Sequence, residues 1–139
     1  MDLGVSDLFN IVKKTKGLSE GTAKFIFKKL LSAVSHCHNH NIAHCDIKLE
    51  NIILDKKCKP MLIDFGLGHK IINYGYGNYE QNLGTFGYMA PEIQKSSVYD
   101  IKQGDYFALG VVLFMMVFGS PPFLEANECD TYYQMIVND

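Results

Sequence analysis

One order of elements constrains this 139-residue chain most: a long amphipathic helix, a polar loop, two short apolar runs and a second polar loop. Leu18-Ser19 has the pattern of a hydrophobic staple and N-cap, and apolar residues then recur at spacings of three and four as far as Val34. Residues 52–54 and 61–63 are strand-like runs joined by a polar link. The order therefore predicts a helix followed by a short β hairpin.

The two polar loops carry the residues with useful chemistry. Asp46, Lys48 and Asn51 lie between the helix and the first run, and Asp64 follows the second run. A hairpin would bring Asp64 back beside Asn51. Carboxylate and amide oxygens suit Mg²⁺, lysine supplies a point charge for phosphate, and a carboxylate that is not a metal ligand can accept a hydroxyl proton. This combination predicts phosphoryl transfer to an alcohol.

Five motifs, in order and spacing, make the chain resemble a serine/threonine protein kinase. Residues 44–51 (HCDIKLEN) resemble the catalytic loop H-R-D-x-K-x-x-N, residues 64–66 (DFG) resemble D-F-G, and residues 90–92 (APE) resemble A-P-E. Residues 84–89 (GTFGYM) resemble the substrate-facing loop, and residues 105–110 (DYFALG) resemble the D-x-W-x-x-G start of the central helix. The K-L-E-N variant and Thr85 are similar to the calcium/calmodulin-dependent and AMP-activated kinase-like branch.

The resemblance implies a mainly α fold with short β hairpins, as in the C-terminal lobe of a kinase. Residues 1–139 would form a partial kinase domain, from the hinge to the penultimate helices, without the N-terminal lobe and the last helices. No G-x-G-x-x-G and no V-A-I-K precede the catalytic loop in this sequence. We therefore expect the isolated chain to be inactive, because the family uses those elements to position ATP.

The resemblance also assigns roles to single residues, with ATP and Mg²⁺ as the implied cofactors. Asp46 would orient and deprotonate the substrate hydroxyl, Lys48 would stabilise the migrating phosphoryl group, and Thr85 would hydrogen-bond to both. Asn51 and Asp64 would hold Mg²⁺. The partner would be a protein substrate with a Ser or Thr acceptor.

Further residues would complete and support the ATP site. Asp105 would hold the backbone of the catalytic loop from below, and His44 and Phe65 would stack in the hydrophobic spine of an active kinase. Ile53 would lie under the adenine ring. The residues implied for the ATP site are Lys48, Glu50, Asn51, Ile53 and Asp64.

One departure from the family concerns regulation. Cys45 stands where the catalytic loop normally carries an arginine that grips a phosphate on the activation loop, and the chain contains no arginine at all. The activation loop, residues 67–83, contains no Ser or Thr, and its hydroxyl side chains are Tyr74, Tyr76 and Tyr79. Its residues 73–82 are rich in Gly, Asn and Tyr and lack helical periodicity, so we expect a long surface loop there. We predict that activation does not depend on phosphorylation of a Ser or Thr in this loop.

Substrate preference follows from four positions. Glu50 and Asp7 lie where related kinases carry acids that read a basic residue upstream of the target. Phe86 and Met89 would line an apolar pocket for the residue that follows the target. The resemblance thus implies a basic-upstream and apolar-downstream preference.

Composition narrows the class of protein further. The net charge of −2 gives no support for a nucleic-acid partner or a membrane surface. The four cysteines show no Cys-x-x-Cys spacing, so we expect a reducing, intracellular compartment, the cytoplasm. The apolar run of residues 106–118 is too short for a membrane span and predicts a buried helix. We expect this helix to run from Gly104 to Phe118 and to end at Gly119.

Two alternatives to a catalytic kinase remain. The tract of residues 36–45 is dense in His and Cys, but a zinc site needs four converging ligands, and this tract ends a single helix. A C-lobe that acts as an inactive binding module, as in a pseudokinase, is the stronger alternative. Pseudokinases usually lose the base or a metal ligand, whereas Asp46, Asn51 and Asp64 are all present.

Overall fold

The computed structural model describes residues 6–79 and 82–138, and it has the mainly α fold with short β hairpins that the sequence predicts. The five helices of this part of the chain are α1 (Leu8–Thr15), α2 (Glu20–Asn39), α3 (Pro91–Lys95), α4 (Ile101–Phe118) and α5 (Thr131–Asn138). Its strands are β1 (Ser6–Asp7), β2 (Ile42–Ala43), β3 (Ile52–Leu54), β4 (Pro60–Leu62), β5 (His69–Lys70), β6 (Tyr76–Asn78) and β7 (Val98–Asp100).

Side-chain caps set the helix starts. Ser19 caps α2 as predicted, since its hydroxyl accepts a hydrogen bond from the backbone N–H of Thr22. Asp100 does the same for α4 by accepting from Lys102, so α4 begins earlier than the predicted start at Gly104. Gly119, in the left-handed conformation with φ 73°, ends α4 as predicted.

The main core lies between α1, α2 and α4. Ile26 and Leu30 of α2 pack with Leu109 and Met116 of α4, and Leu8 of α1 joins the same cluster. By length and composition α4 could cross a membrane, yet half of it is buried inside the protein. Core helices of soluble proteins have this same composition, so α4 is weak evidence for a membrane span and matches the predicted buried helix.

The β strands form three small antiparallel sheets. The order of the largest is β1-β3-β4, with Ile52 opposite Leu62 and Ile53 opposite Met61, so the predicted hairpin is present. The second sheet pairs β2 with β5, which joins the two ends of the segment that contains both polar loops.

The third sheet corrects the expectation of a long irregular surface loop over residues 73–82. In this stretch β6 pairs with β7, with Tyr76 opposite Asp100 and Gly77 opposite Tyr99. Tyr79, next to β6, is buried. Local composition could not predict this strand, because its partner residues lie 20 to 24 positions further along the chain.

Candidate active site

The first polar loop is held from below by one buried carboxylate. Asp105, near the start of α4, is only 2% exposed. Its two oxygens accept hydrogen bonds from the backbone N–H groups of His44 and Cys45, each at 2.9 Å. The contact predicted for Asp105 is therefore present, and the direction in which the loop leaves β2 is fixed.

A network of short hydrogen bonds surrounds Asp46. The Thr85 hydroxyl donates to Asp46 Oδ1 at 2.7 Å, and Lys48 Nζ lies 2.7 Å from Asp46 Oδ2. Lys48 Nζ also donates to the Thr85 hydroxyl at 2.9 Å, so both hydrogen bonds predicted for Thr85 are present. The amide nitrogen of Asn51 donates to Asp46 Oδ2 at 3.1 Å. Lys48, Asn51 and Thr85 thus converge on the carboxylate of Asp46.

The surroundings of Asp46 keep it ionised. Partial burial raises the pKa of a carboxyl group, but here the hydrogen bonds from Lys48, Thr85 and Asn51 together outweigh burial and lower the pKa of Asp46 below its ordinary value of 3.8. A carboxylate with a lowered pKa is a weak base. It can orient a hydroxyl and receive its proton as that proton is released.

The hairpin brings the second polar loop to the same place. The N–H of Ile63 donates to the carbonyl oxygen of Asn51 at 2.9 Å. Asp64 directly follows Ile63, so its backbone lies next to this contact with Asn51. Asp64 is exposed, has φ 61°, and accepts a hydrogen bond from Gly66 N–H at 3.1 Å through Oδ1. The expected approach of Asp64 to Asn51 is thus observed.

These two residues fit Mg²⁺. Asn51 Nδ2 donates to the carbonyl oxygen and the carboxylate of Asp46, which leaves the amide oxygen as the atom available to a cation. One amide oxygen and one exposed carboxylate match a cation that keeps several waters and takes its other ligands from phosphates. When bound, Mg²⁺ would neutralise phosphate charge.

The remaining predicted residues lie in the two polar loops and in β3. His44 and Phe65 contact each other edge to face, with ring centroids 4.5 Å apart, so the predicted ring contact is present. The His44 ring donates from Nε2 to the carbonyl oxygen of Ile63 at 2.9 Å. Ile53 lies half-buried in β3, and Glu50 is exposed and faces the hydroxyl of Tyr88 at 3.4 Å.

The structure also adds contacts that the motifs did not indicate. His38 Nε2 donates to Asp105 at 2.8 Å, so Asp105 binds α2 as well as the catalytic loop. Tyr79 joins a buried apolar cluster beneath Cys45. No sequence signal separates Tyr79 from Tyr74 and Tyr76, since all three lie in the same Gly- and Asn-rich stretch.

The His- and Cys-rich tract has other partners. His38 pairs with Asp105, and His40 Nδ1 bonds to the carbonyl oxygen of His36 at 2.8 Å. Over residues 6–79 and 82–138, no group of three or more His, Cys, Asp or Glu side chains converges on a point that could hold a metal.

The fold and the site together define a class of protein. A carboxylate bonded to a lysine and a threonine, beside an amide and a second carboxylate at the end of a hairpin, is the arrangement of a phosphotransferase of the kinase type. A family model described as the protein kinase domain matches residues 2–138. The chain belongs to the protein kinase family.

Several protein kinases of known name are similar to this chain in sequence. The chain is 42% identical over 118 residues to sperm motility kinase 3A of Mus musculus, with 84% of this chain and 23% of the relative covered. It is 39% identical over 127 residues to the SNF-related serine/threonine-protein kinase of Homo sapiens, covering 90% of this chain and 16% of the relative. It is 38% identical over 131 residues to testis-specific serine/threonine-protein kinase 2 of Mus musculus, covering 91% and 37%. The chain spans well under half the length of these relatives.

Proposed function

We propose that this chain supplies the catalytic loop of a serine/threonine kinase, which transfers the γ-phosphoryl group of ATP to a protein hydroxyl. The observation that carries the proposal is the contact of Asp46, Lys48 and Thr85, with heavy-atom distances of 2.7 to 2.9 Å. These contacts favour a catalytic role over an inactive binding module, because phosphotransfer needs a base and a positive charge beside the acceptor hydroxyl.

Each residue has a defined task in this proposal. Asp46 orients the acceptor hydroxyl and receives its proton, while Lys48 places positive charge where the phosphoryl group passes. Thr85 holds the substrate-facing loop against Asp46. Asn51 and Asp64 would hold Mg²⁺.

The proposed substrate preference depends on fewer groups than the sequence suggested. Glu50 is exposed and available to a basic residue upstream of the acceptor. Asp7 accepts a hydrogen bond from Asn10 on each carboxylate oxygen at 2.7 Å, and each oxygen keeps a second lone pair for a basic residue. Of the two apolar residues, Phe86 is half exposed and Met89 is buried, so Phe86 is the side chain that a downstream apolar residue would contact.

The test is phosphotransfer from Mg²⁺-ATP to an array of Ser/Thr peptides, by the 139-residue chain and by any longer natural protein that contains residues 1–139. We expect Ser/Thr phosphorylation by the longer protein. Asp46→Asn should reduce turnover roughly 10²- to 10⁴-fold. Asp55 lies in a surface turn outside the site, so Asp55→Asn should leave turnover unchanged.

Two results would contradict the proposal. One is equal turnover by the wild type and Asp46→Asn, and the other is the absence of phosphotransfer from the longer protein. The second result would favour the alternative, an inactive binding module. A preference for acidic or proline-directed peptides would reject the basic-upstream motif alone.

A further inference from the structure

The activation loop is attached to the body of the protein through Tyr79. Of the three tyrosines in this loop, Tyr74 is 93% exposed and Tyr76 is 61% exposed, whereas Tyr79 is only 9% exposed. The Tyr79 ring lies 5.4 Å from the ring of Tyr99 and meets His69 edge to face at 5.9 Å. The three side chains thus have very different surroundings in one short segment.

Backbone hydrogen bonds hold the same segment. The N–H of Tyr79 donates to the carbonyl oxygen of Ser97 at 2.8 Å, which continues the pairing of β6 with β7. The Tyr79 hydroxyl donates to the carbonyl oxygen of Gly75 at 3.2 Å, so it closes the turn that precedes β6. Gly77 lies against the ring, and a Cβ there would come within 3.1 Å of it.

The cluster that receives Tyr79 is uncharged. We call it the latch cluster; its buried members are Ala43, Ile71, Tyr79, Leu83, Met89, Ala90, Ile93, Tyr99 and Ile101. Cys45 packs against it, and burial together with the nearby Asp105 carboxylate raises the pKa of the Cys45 thiol to about 12, so the thiol is neutral. At Cys45, where the family carries an arginine, the activation loop therefore meets an apolar surface.

A continuous path leads from the latch cluster to the site. Leu83 is a member of the cluster, and Asn82 N–H donates to the carbonyl oxygen of Ile93 at 3.3 Å. Gly84, with φ 116°, passes so close to the catalytic loop that a Cβ on it would lie 2.7 Å from the carbonyl oxygen of Cys45. The next residue is Thr85, whose hydroxyl bonds to Asp46.

We propose that Tyr79 is a positioning residue, which holds the activation loop in place by packing its ring in the latch cluster and so keeps Thr85 on Asp46 without a phosphate. This inference rests on the proposed kinase function and assigns the regulation of that site. The loop is fixed by apolar burial instead of an ion pair between a phosphate and an arginine. Tyr79 acts through Thr85 and does not touch the substrate.

Hydrogen exchange of the 139-residue chain tests the latch without any need for activity. In Tyr79→Ala, the backbone amides of β6 and of residue 79 should exchange about tenfold faster or more. In the wild type, local opening must pull the buried ring out of its cluster, and the variant has no ring to remove. Tyr79→Phe keeps the ring and should stay within about twofold of the wild type. Tyr74→Ala is the matched control, since that tyrosine is exposed in the same loop.

Exchange at Ile26 and Leu30 in α2 reports whether Tyr79→Ala unfolds the whole chain. If exchange of these core amides is also faster, Gly77→Ala decides, because the three atoms nearest to the new Cβ all belong to the Tyr79 side chain. Faster exchange in β6 with an unchanged α2 supports the latch. Unchanged exchange in β6 of Tyr79→Ala overturns the latch. Where Gly77→Ala decides, unchanged exchange in β6 of that variant overturns the latch.

Phosphotransfer by the longer gene product supplies the second readout. Tyr79→Ala should lower kcat/KM about tenfold or more, and Tyr79→Phe should restore kcat/KM to the wild-type value. Phosphatase treatment of the wild type should leave its kcat/KM unchanged. Equal kcat/KM for wild type and Tyr79→Ala, or loss of activity on phosphatase treatment, would refute the latch. A wild type without phosphotransfer would refute the kinase proposal, and the exchange experiment would still decide whether Tyr79 holds the loop.

Discussion

Replacement of Asp105 by alanine should destabilise the protein strongly, because this one side chain satisfies one buried and two part-buried donors. Asp105 accepts from His44 N–H and Cys45 N–H at 2.9 Å and from His38 Nε2 at 2.8 Å. Asp105→Ala leaves the two backbone donors unpaired at a cost of roughly 1–3 kcal/mol each, or about 2–6 kcal/mol together. Small domains have a total stability of roughly 5–15 kcal/mol, so this loss is a large share of the whole.

Asp105→Asn gives a finer test. The asparagine oxygen can replace only one carboxylate oxygen, and in either orientation its NH₂ group faces a backbone N–H, of His44 or of Cys45. One charge-assisted hydrogen bond is lost, so the expected destabilisation is about 1.5–3 kcal/mol. This variant should still fold, which keeps the reasoning testable if Asp105→Ala does not.

Urea unfolding, followed by far-ultraviolet circular dichroism, measures the free energy of unfolding of both variants. We expect the slope of this free energy against urea concentration to stay at the wild-type value. Asp55→Ala is the matched control. Asp55 also accepts two backbone N–H groups, from Lys57 and Lys59 at 2.8 and 2.9 Å, but in a surface turn where water can replace it. A midpoint shift in Asp105→Ala no larger than the shift in Asp55→Ala would refute the reasoning.

Two further predictions concern titration and reactivity at the site. The pKa of Asp46 lies below 3.8, so the stability contributed by its ionised form is complete above that pH and is lost as pH falls through the lower folded pKa. Thr85→Val removes one hydrogen bond that lowers the pKa, so Asp46 should titrate at higher pH in a ¹³C NMR titration, while Asp7 stays unchanged; identical titration of Asp46 in both proteins would contradict this. The Cys45 thiol, with its pKa raised to about 12, should react with iodoacetamide about 100-fold more slowly, or slower still, than the exposed Cys58, as read by mass spectrometry. Comparable rates for the two cysteines would show that Cys45 is not buried as described.

Local patterns were enough to predict the elements that build the site. Ser19 predicted the start of α2, because a cap and its helix are adjacent in the chain. The two apolar runs predicted the hairpin, and the hairpin in turn predicted that Asp64 returns to Asn51. The family motifs predicted the contacts of Thr85 and Asp105.

Long-range pairing limited the remaining predictions. The predicted start of α4 was wrong because Asp100, which caps the helix, was not recognised as a cap in the sequence. The prediction of a surface loop over residues 73–82 was wrong because the partner of β6 is a distant strand. A Gly- and Asn-rich strand of this length carries no periodicity of its own.

The sequence by itself thus determined the chemistry: which residues carry charge and amide groups, and that a helix and a hairpin gather them. Only the tertiary structure decided how the activation loop is held. Burial is a property of the packed cluster, so the difference between the exposed Tyr74 and the buried Tyr79 arises only when β7 and α4 come together beneath the loop.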